Sequence, residues 1–230
     1  MKHLYALVVL SLSLFSQGNF SLNIISNSVI VGSSSGGSAS GLDQVVTQHI
    51  KREPFRRIRV EMPVKLRVIQ STQSDIELRA PSHLVSKIAF NVKGETLVIH
   101  PKESFSTQRA ITITIANPHL EGLMVDGVGE INIEGYHEDE MSVEVSGVAN
   151  VLFRSGRIHK LSLKAEGSYE VQFLGVSIDD ATIIAEGTGD VTVDSARRLT
   201  VDLKGTVEVK YGGDPIIKKQ VNDLANLTHI

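Results

Sequence analysis

LMVDGVGEINI (Leu123–Ile133), VEVSGVANVLF (Val143–Phe153), LKAEGSYEVQF (Leu163–Phe173), IIAEGTGDVTV (Ile183–Val193) and VDLKGTVEVKY (Val201–Tyr211) are five versions of one segment. Their aligned glycines, Gly127, Gly147, Gly167, Gly187 and Gly205, are spaced 20, 20, 20 and 18 residues apart. Each version reads as two short alternating strands around a tight turn. One such unit cannot bury its apolar face alone, so the units must stack on one another. The expected fold is all-β: a parallel β-helix-like solenoid with coils of about 20 residues, preceded by a less regular β region containing one short helix.

Read as layers of a stack, the repeats separate into columns. Ile131, Val151, Val171, Val191 and Val209 form one inward column, and Ile133, Phe153, Phe173, Val193 and Tyr211 a second. Before the glycines, Val125, Val145, Ala165, Ala185 and Leu203 join Leu123, Val143, Leu163, Ile183 and Val201 on the same side. Burying such side chains, at about 1.5–3 kcal/mol each, is the main stabilising term and is opposed by chain entropy. The alternate positions point outward. Gly122, Ser142, Ser162, Thr182 and Thr200 make a small, hydroxyl-rich stripe, and Glu144 and Lys164 are expected to pair across adjacent rungs. An exposed pair of that kind contributes about 0–1 kcal/mol.

Outside the repeats, alternation places strands at Phe55–Val60, Val64–Val68, Ile76–Leu78 and Ile111–Ile115, with a hairpin from Ile88–Val92 to Thr96–His100. Pro81 followed by an i,i+4 apolar pair, Leu84 and Ile88, predicts the short helix. Ordered structure is expected from about Pro54. The chain opens with Met1-Lys2-His3, the apolar run Leu4–Phe15 and small residues near Gly18, the pattern of a secretory signal peptide. That run is shorter than the roughly 20 residues a membrane span needs. The expected organisation is therefore a signal peptide at 1–18, a flexible Gly/Ser-rich tether at 19–50 and one solenoid domain at 51–230. Within that domain 51–117 is the irregular β region, 118–213 the repeats and 214–230 a C-terminal cap.

Composition narrows the function classes. Cysteine is absent from the 230 residues, which excludes disulfides, thiolate metal sites and lipid attachment at an N-terminal cysteine. Tryptophan is absent and aromatic residues are 5%, so stacking platforms for sugars or bases are scarce. Charge is uneven: residues 51–109 carry 12 basic and 6 acidic side chains, residues 117–230 carry 10 and 19. Such asymmetry orients a molecule towards a charged partner or favours head-to-tail association, although solvated strand faces explain it as well. The basic stretch around Arg56, Arg57 and Arg59 does not argue for nucleic acid in an exported chain with few aromatics.

The opening Phe55-Arg-Arg-Ile-Arg-Val60, the run Gly94-Glu-Thr-Leu-Val-Ile99, the junction Ile113-Thr-Ile-Ala-Asn-Pro118-His-Leu120 and turns such as Gly187-Thr-Gly-Asp-Val191 give the chain a further meaning. Together they resemble the GIN-domain family, described as "putative autotransporter adhesin" head domains of bacterial envelope proteins. The resemblance spans about Phe55–Asp214 and implies a β-helix-like solenoid with an adhesin-type role. The chain departs from many relatives in lacking a lipobox cysteine, and only Gly127 and Gly187 keep a full Gly-x-Gly.

Three residues after each glycine stand Glu130, Asn150, Glu170, Asp190 and Glu208. Rungs about 4.8 Å apart would turn this column into an acidic ladder, and oxygen ligands in a row suit Ca²⁺. Glu170, Asp190 and Glu208, on consecutive rungs, are the candidate metal residues. The competing explanation is local: acidic residues beside tight turns face solvent, where neighbouring unit charges repel by only about 1 kcal/mol. His137-Glu138-Asp139-Glu140 reads as an acidic inter-repeat loop. No nucleophile elbow, Walker loop or dinucleotide fingerprint occurs, and no catalytic or cofactor-binding residue is assigned. The sequence thus points to an exported, non-enzymatic envelope protein, periplasmic or extracellular, presenting an adhesin-like surface to a glycan, an envelope protein or another copy of itself. The alternatives are a polysaccharide-acting β-helix enzyme and a purely structural periplasmic module.

Overall fold

The computed structural model describes residues 20–25, 28–33, 44–222 and 224–230. In chain order its elements are β1 (Phe20–Ile25), β2 (Ser28–Ser33), β3 (Val45–Ile50), β4 (Arg57–Val60), β5 (Val64–Gln70), β6 (Asp75–Pro81), α1 (Ser82–Val85), β7 (Ile88–Lys93), β8 (Thr96–Pro101) and β9 (Thr112–Asn117). There follow β10 (Gly122–Glu134), β11 (His137–Tyr211), β12 (Ile216–Val221) and β13 (Asn226–His229). The fold is all-β apart from the four-residue α1, which lies where Pro81 places it. The expected signal peptide, 1–18, lies outside the described residues.

The repeats stack in the register that their glycines announce. β10 pairs in parallel with β11, Leu123 opposite Val143, Gly127 opposite Gly147 and Ile133 opposite Phe153. β11 then runs unbroken for 75 residues through the remaining repeats. Glycine at the corner has two causes. Gly147, Gly167, Gly187 and Gly205 adopt φ of 120°, 106°, 105° and 92°, a region open to glycine and costly for other residues. A Cβ on any of them would also come within 2.3–2.4 Å of the carbonyl oxygen of the preceding repeat glycine. Backbone therefore lies directly on backbone at this corner.

All the expected inward residues are buried except Tyr211, which is partly buried and meets His229 edge-on at 5.2 Å. Phe153 and Phe173 stack with ring centroids 4.6 Å apart. The return side of each coil adds Met141, Leu161, Ala181 and Leu199 to the core.

The region before the repeats is less irregular than its sequence. β4 and β5 pair in parallel with β10, Ile58 opposite Leu123 and Leu66 opposite Ile131. In turn, β8 and β9 pair in parallel with β4 and β5. These two coils have no corner glycine: one turns through Glu61-Met62-Pro63 and the other through the longer segment 102–111. Antiparallel strands join them, with β6 on β9 and β3, and β7 on β8. The sheet is consequently mixed, and a purely parallel architecture does not describe the whole of 51–230.

Ordered structure also begins earlier than Pro54. Within the stretch expected as a tether, β3 pairs with β6 and buries Ile50, while β1 and β2 form an antiparallel pair and β2 joins β3. The β-branched run Val45-Val46-Thr47 favours a strand. Only residues 34–43 of the Gly/Ser stretch, with 19 and 26–27, lie outside the described residues of that tether.

Asn117 ties the two regions together and is the buried polar side chain of the described core. Its amide donates to the Phe55 carbonyl at 3.0 Å and the His119 carbonyl at 2.5 Å, and accepts from Ser74 Oγ at 3.0 Å. The Tyr136 hydroxyl donates to the carbonyls of Asn117 and Ile69, at 3.0 and 3.2 Å. Burial holds that phenol above its ordinary pKa, so it remains a donor.

Candidate functional site

The glycine corner of the first three repeats borders a groove of about 640 Å³. Its shape follows from two columns. One residue after the glycine, the first two units carry Val128 and Val148, exposed at 53% and 56%, where later units carry Ser168, Thr188 and Thr206. Two residues after it stand Gly129, Ala149 and Tyr169, which turn towards the core: a Cβ on Gly129 would lie 2.7 Å from Ile131, and Ala149 and Tyr169 are buried. Residues 63–65 and 107–111 of the glycine-less coils line the same groove on the neighbouring rungs. The groove therefore lies where the two kinds of coil meet.

Tyr169 also explains the second glycine of Gly187-Thr-Gly189. A Cβ on Gly189 would lie 2.5 Å from the Tyr169 ring, so the glycine makes room for it. The Tyr169 hydroxyl is buried without a hydrogen-bond partner. Burial, reinforced by the charges of Asp190 and Glu186, pushes this phenol up to about 12.

Four charged side chains line the groove, and three are satisfied within the protein. Lys65 and Glu130 form an ion pair at 2.7 Å, and Glu170 accepts a hydrogen bond from Gln172 at 2.8 Å. The fourth, Arg109, bonds through its backbone to Thr107, and its guanidinium forms no ion pair or hydrogen bond among the described residues.

The acidic column does run along this corner, but lysines flank it. Glu208 pairs with Lys210 at 3.1 Å and accepts from Thr228 Oγ1 at 3.3 Å. The hydrogen bond to Glu208 holds the Lys210 ammonium above its ordinary pKa, and the charges of Glu208, Asp190 and Glu170 add to the effect. Lys210 thus sits in the field that a Ca²⁺ at Glu170, Asp190 and Glu208 would occupy. Among the described residues no three of His, Asp and Glu converge into a metal-ligating group.

Two other sequence expectations shift. Lys164 pairs with Glu166 at 2.8 Å rather than with Glu144, because residues two apart on a strand share a face. The acidic stretch His137–Glu140 opens strand β11 instead of forming a loop, and its members are held separately. Glu138 accepts from the Leu120 amide at 2.9 Å, Asp139 lies 3.7 Å from His159 and Glu140 binds Lys160 at 2.9 Å. Ser142, Ser162 and Thr182 do form a stripe in a hollow of about 460 Å³, whereas Gly122 is covered by the Arg57 side chain. Beside it Asp179 gathers His159, Arg157 and Arg197, and Asp180 gathers Arg198.

The segment that builds these glycine corners and their all-β core, residues 54–215, matches the family model described as "Putative auto-transporter adhesin, head GIN domain". The chain belongs to this GIN-domain family. The GIN fold recurs in a "putative adhesin" from Bacteroides fragilis NCTC 9343, 24% identical with a TM-score of 0.68, covering 81% of this chain and 97% of that one. It recurs in a "putative lipid binding protein" from Parabacteroides distasonis ATCC 8503, 19% identical with a TM-score of 0.53, covering 81% and 96%. A third GIN-like structure, a "putative adhesin" from Parabacteroides merdae ATCC 43184, is 13% identical with a TM-score of 0.50 over 81% and 96%. At these identities the likeness concerns the fold. No curated protein matches the chain.

The groove was missed in the sequence because it joins residues from both kinds of coil, far apart along the chain. One signal was present. Val128 and Val148 break an otherwise hydroxyl-bearing outward column in the two units that border the groove.

Proposed function

We propose that this GIN-domain chain is an exported, non-enzymatic, adhesin-like protein of the bacterial envelope, in which the stacked coils act as a rigid β-solenoid that presents the corner groove to a partner. The observation that carries the proposal is the exposed pair Val128 and Val148 lining an open groove. Exposed apolar patches rimmed by polar residues mark interaction sites. Family membership supports the adhesin-type role, and no described helix is long and apolar enough to cross a membrane.

Beads coated with the protein, scored on a glycan array and on immobilised envelope proteins, test the reading. Attachment should fall when Val128→Asp and Val148→Asp are combined, and persist when Thr182→Asp alters a surface outside the groove. Attachment that survives the double variant would remove the groove from the proposal. Export is checked separately by mass spectrometry of envelope fractions, with cleavage expected between about Ser16 and Ser21 and an intact Met1 counting against it.

A further inference from the structure

We infer that the groove takes a single-chain anionic amphiphile, a long-chain carboxylate whose aliphatic tail lies along the corner of the stack and whose head meets Arg109. The inference rests on the groove being the contact surface and adds the chemistry of what it contacts.

Three observations lead to this ligand class. The groove is elongated: Ile111, Val64, Gly129, Ala149 and Tyr169 mark five successive levels of the stack, and four steps of about 4.8 Å give a length of roughly 19 Å. Its exposed large apolar side chains are Val128 and Val148, and its one aromatic ring, Tyr169, is itself buried. A sugar would therefore find no open aromatic face. A peptide strand is not favoured either, since the strands flanking the groove already pair with their neighbours in the stack, Lys65 with Glu130 and Lys65 with Thr112. An aliphatic chain needs no hydrogen bonds and can follow a straight apolar furrow.

Charge then selects the head group. Lys65 and Glu130 neutralise one another, and Glu170 is engaged by Gln172. Among the described residues the Arg109 guanidinium, which lines the furrow, has no partner. A planar fork of donors matches a carboxylate bidentately. A cationic head would meet Arg109 without compensation, and a neutral one would leave it as it is.

The test uses the folded chain with ¹³C-labelled valine methyls and tetradecanoate below its micelle concentration. Saturable shifts at the Val128 and Val148 methyls are expected, with affinity falling by up to about fourfold for each methylene removed from the tail. Arg109→Gln should weaken tetradecanoate about tenfold while leaving 1-tetradecanol unchanged. Tetradecyltrimethylammonium should bind worse than the carboxylate. Equal binding of the cation and the carboxylate, or indifference to Arg109→Gln, overturns the head-group assignment. Absence of saturable shifts with tetradecanoate overturns the inference as a whole. In that case bead attachment that is still lost in the Val128→Asp, Val148→Asp variant would leave the groove as a contact surface for another partner, so the two readings fail separately.

Discussion

The coils from Gly122 onward and the coils built from β4–β5 and β8–β9 share one parallel pairing geometry but turn their corners by different means. In the repeats, a glycine at positive φ lies against the carbonyl of the glycine before it, and the corner is as thin as a backbone can be. In the earlier coils the corner is made by Glu61-Met62-Pro63 or by the longer 102–111, and has breadth. A thin corner tolerates no side chain, whereas a broad one can carry them. The difference puts the groove at the boundary: breadth on one side, thinness on the other.

The comparison breaks most visibly in the shared core. Val171 is fully buried in a column common to all five repeats, so Val171→Asp should strand a charge without a partner and abolish cooperative unfolding of the native state. Thr182→Asp, on the exposed face, should stay within about 0.5 kcal/mol of the parent. Urea denaturation of both variants measures the contrast, and similar losses would mean that the faces are assigned wrongly.

The corner itself comes next. Gly167→Ala adds a Cβ 2.3 Å from the Gly147 carbonyl oxygen in a strained backbone region, and should cost at least about 3 kcal/mol. Gly94, in the β7–β8 hairpin, also has positive φ, but nothing lies within 4 Å of an added Cβ. Gly94→Ala should therefore cost only the conformational term, about 1–2 kcal/mol. Equal costs would remove stacking contact as the reason for the repeat glycine.

A smaller effect belongs to the junction between the two kinds of coil. Asn117→Leu leaves the Phe55 and His119 carbonyls without their donor, and should cost about 2 kcal/mol in chemical denaturation. Tyr136→Phe should cost about 1 kcal/mol, since it removes a single hydroxyl donor shared by two carbonyls.

The smallest effect is electrostatic and confined to the repeats. The hydrogen bond from His159, then those from Arg157, hold the Asp179 carboxyl below its ordinary pKa, and the hydrogen bond from Arg198 does the same for Asp180. A depressed folded-state pKa contributes stability above the unfolded value, which is lost as pH falls through the folded one. Thermal midpoints should thus be insensitive to this pair between pH 6 and 8 and should begin to fall only below about pH 4. Combining Asp179→Asn with Asp180→Asn should flatten that acid decline.

How much of this was written in the sequence depends on period. The alternation at Leu123–Ile133 and its four copies fixes faces, register and corner together, because a strict repeat leaves one way to stack. The coils of β4–β5 and β8–β9 obey the same pairing but escape notice, since an excursion through β6, α1 and β7 separates them and no glycine flags their turns. Pairings such as Ile58 with Leu123 are set by tertiary packing and have no local signature. The strand Val45–Ile50 was hidden by the neighbouring Gly/Ser run, although its own β-branched residues favour extension. Glu130, Glu170 and Glu208 were visible as members of a column but not as partnered side chains, because Lys65, Gln172 and Lys210, which engage them, come from another coil or from two residues along the same strand. Arg109 lies in a polar stretch that carries no motif, and only the fold brings it to the groove that Val128 and Val148 also line.

The corner glycines also set the unit in which this molecule can change length. Since each glycine lies on the one before, inserting a single residue there would displace every later contact, while duplicating a whole repeat adds one more rung and leaves its neighbours as they were. The opposite side is the adjustable one: nine residues separate the third repeat segment from the fourth, and seven separate the fourth from the fifth, with the glycine column kept. Length, in such a molecule, is inherited in discrete steps, and gene duplication within the repeat is the mutation that alters it.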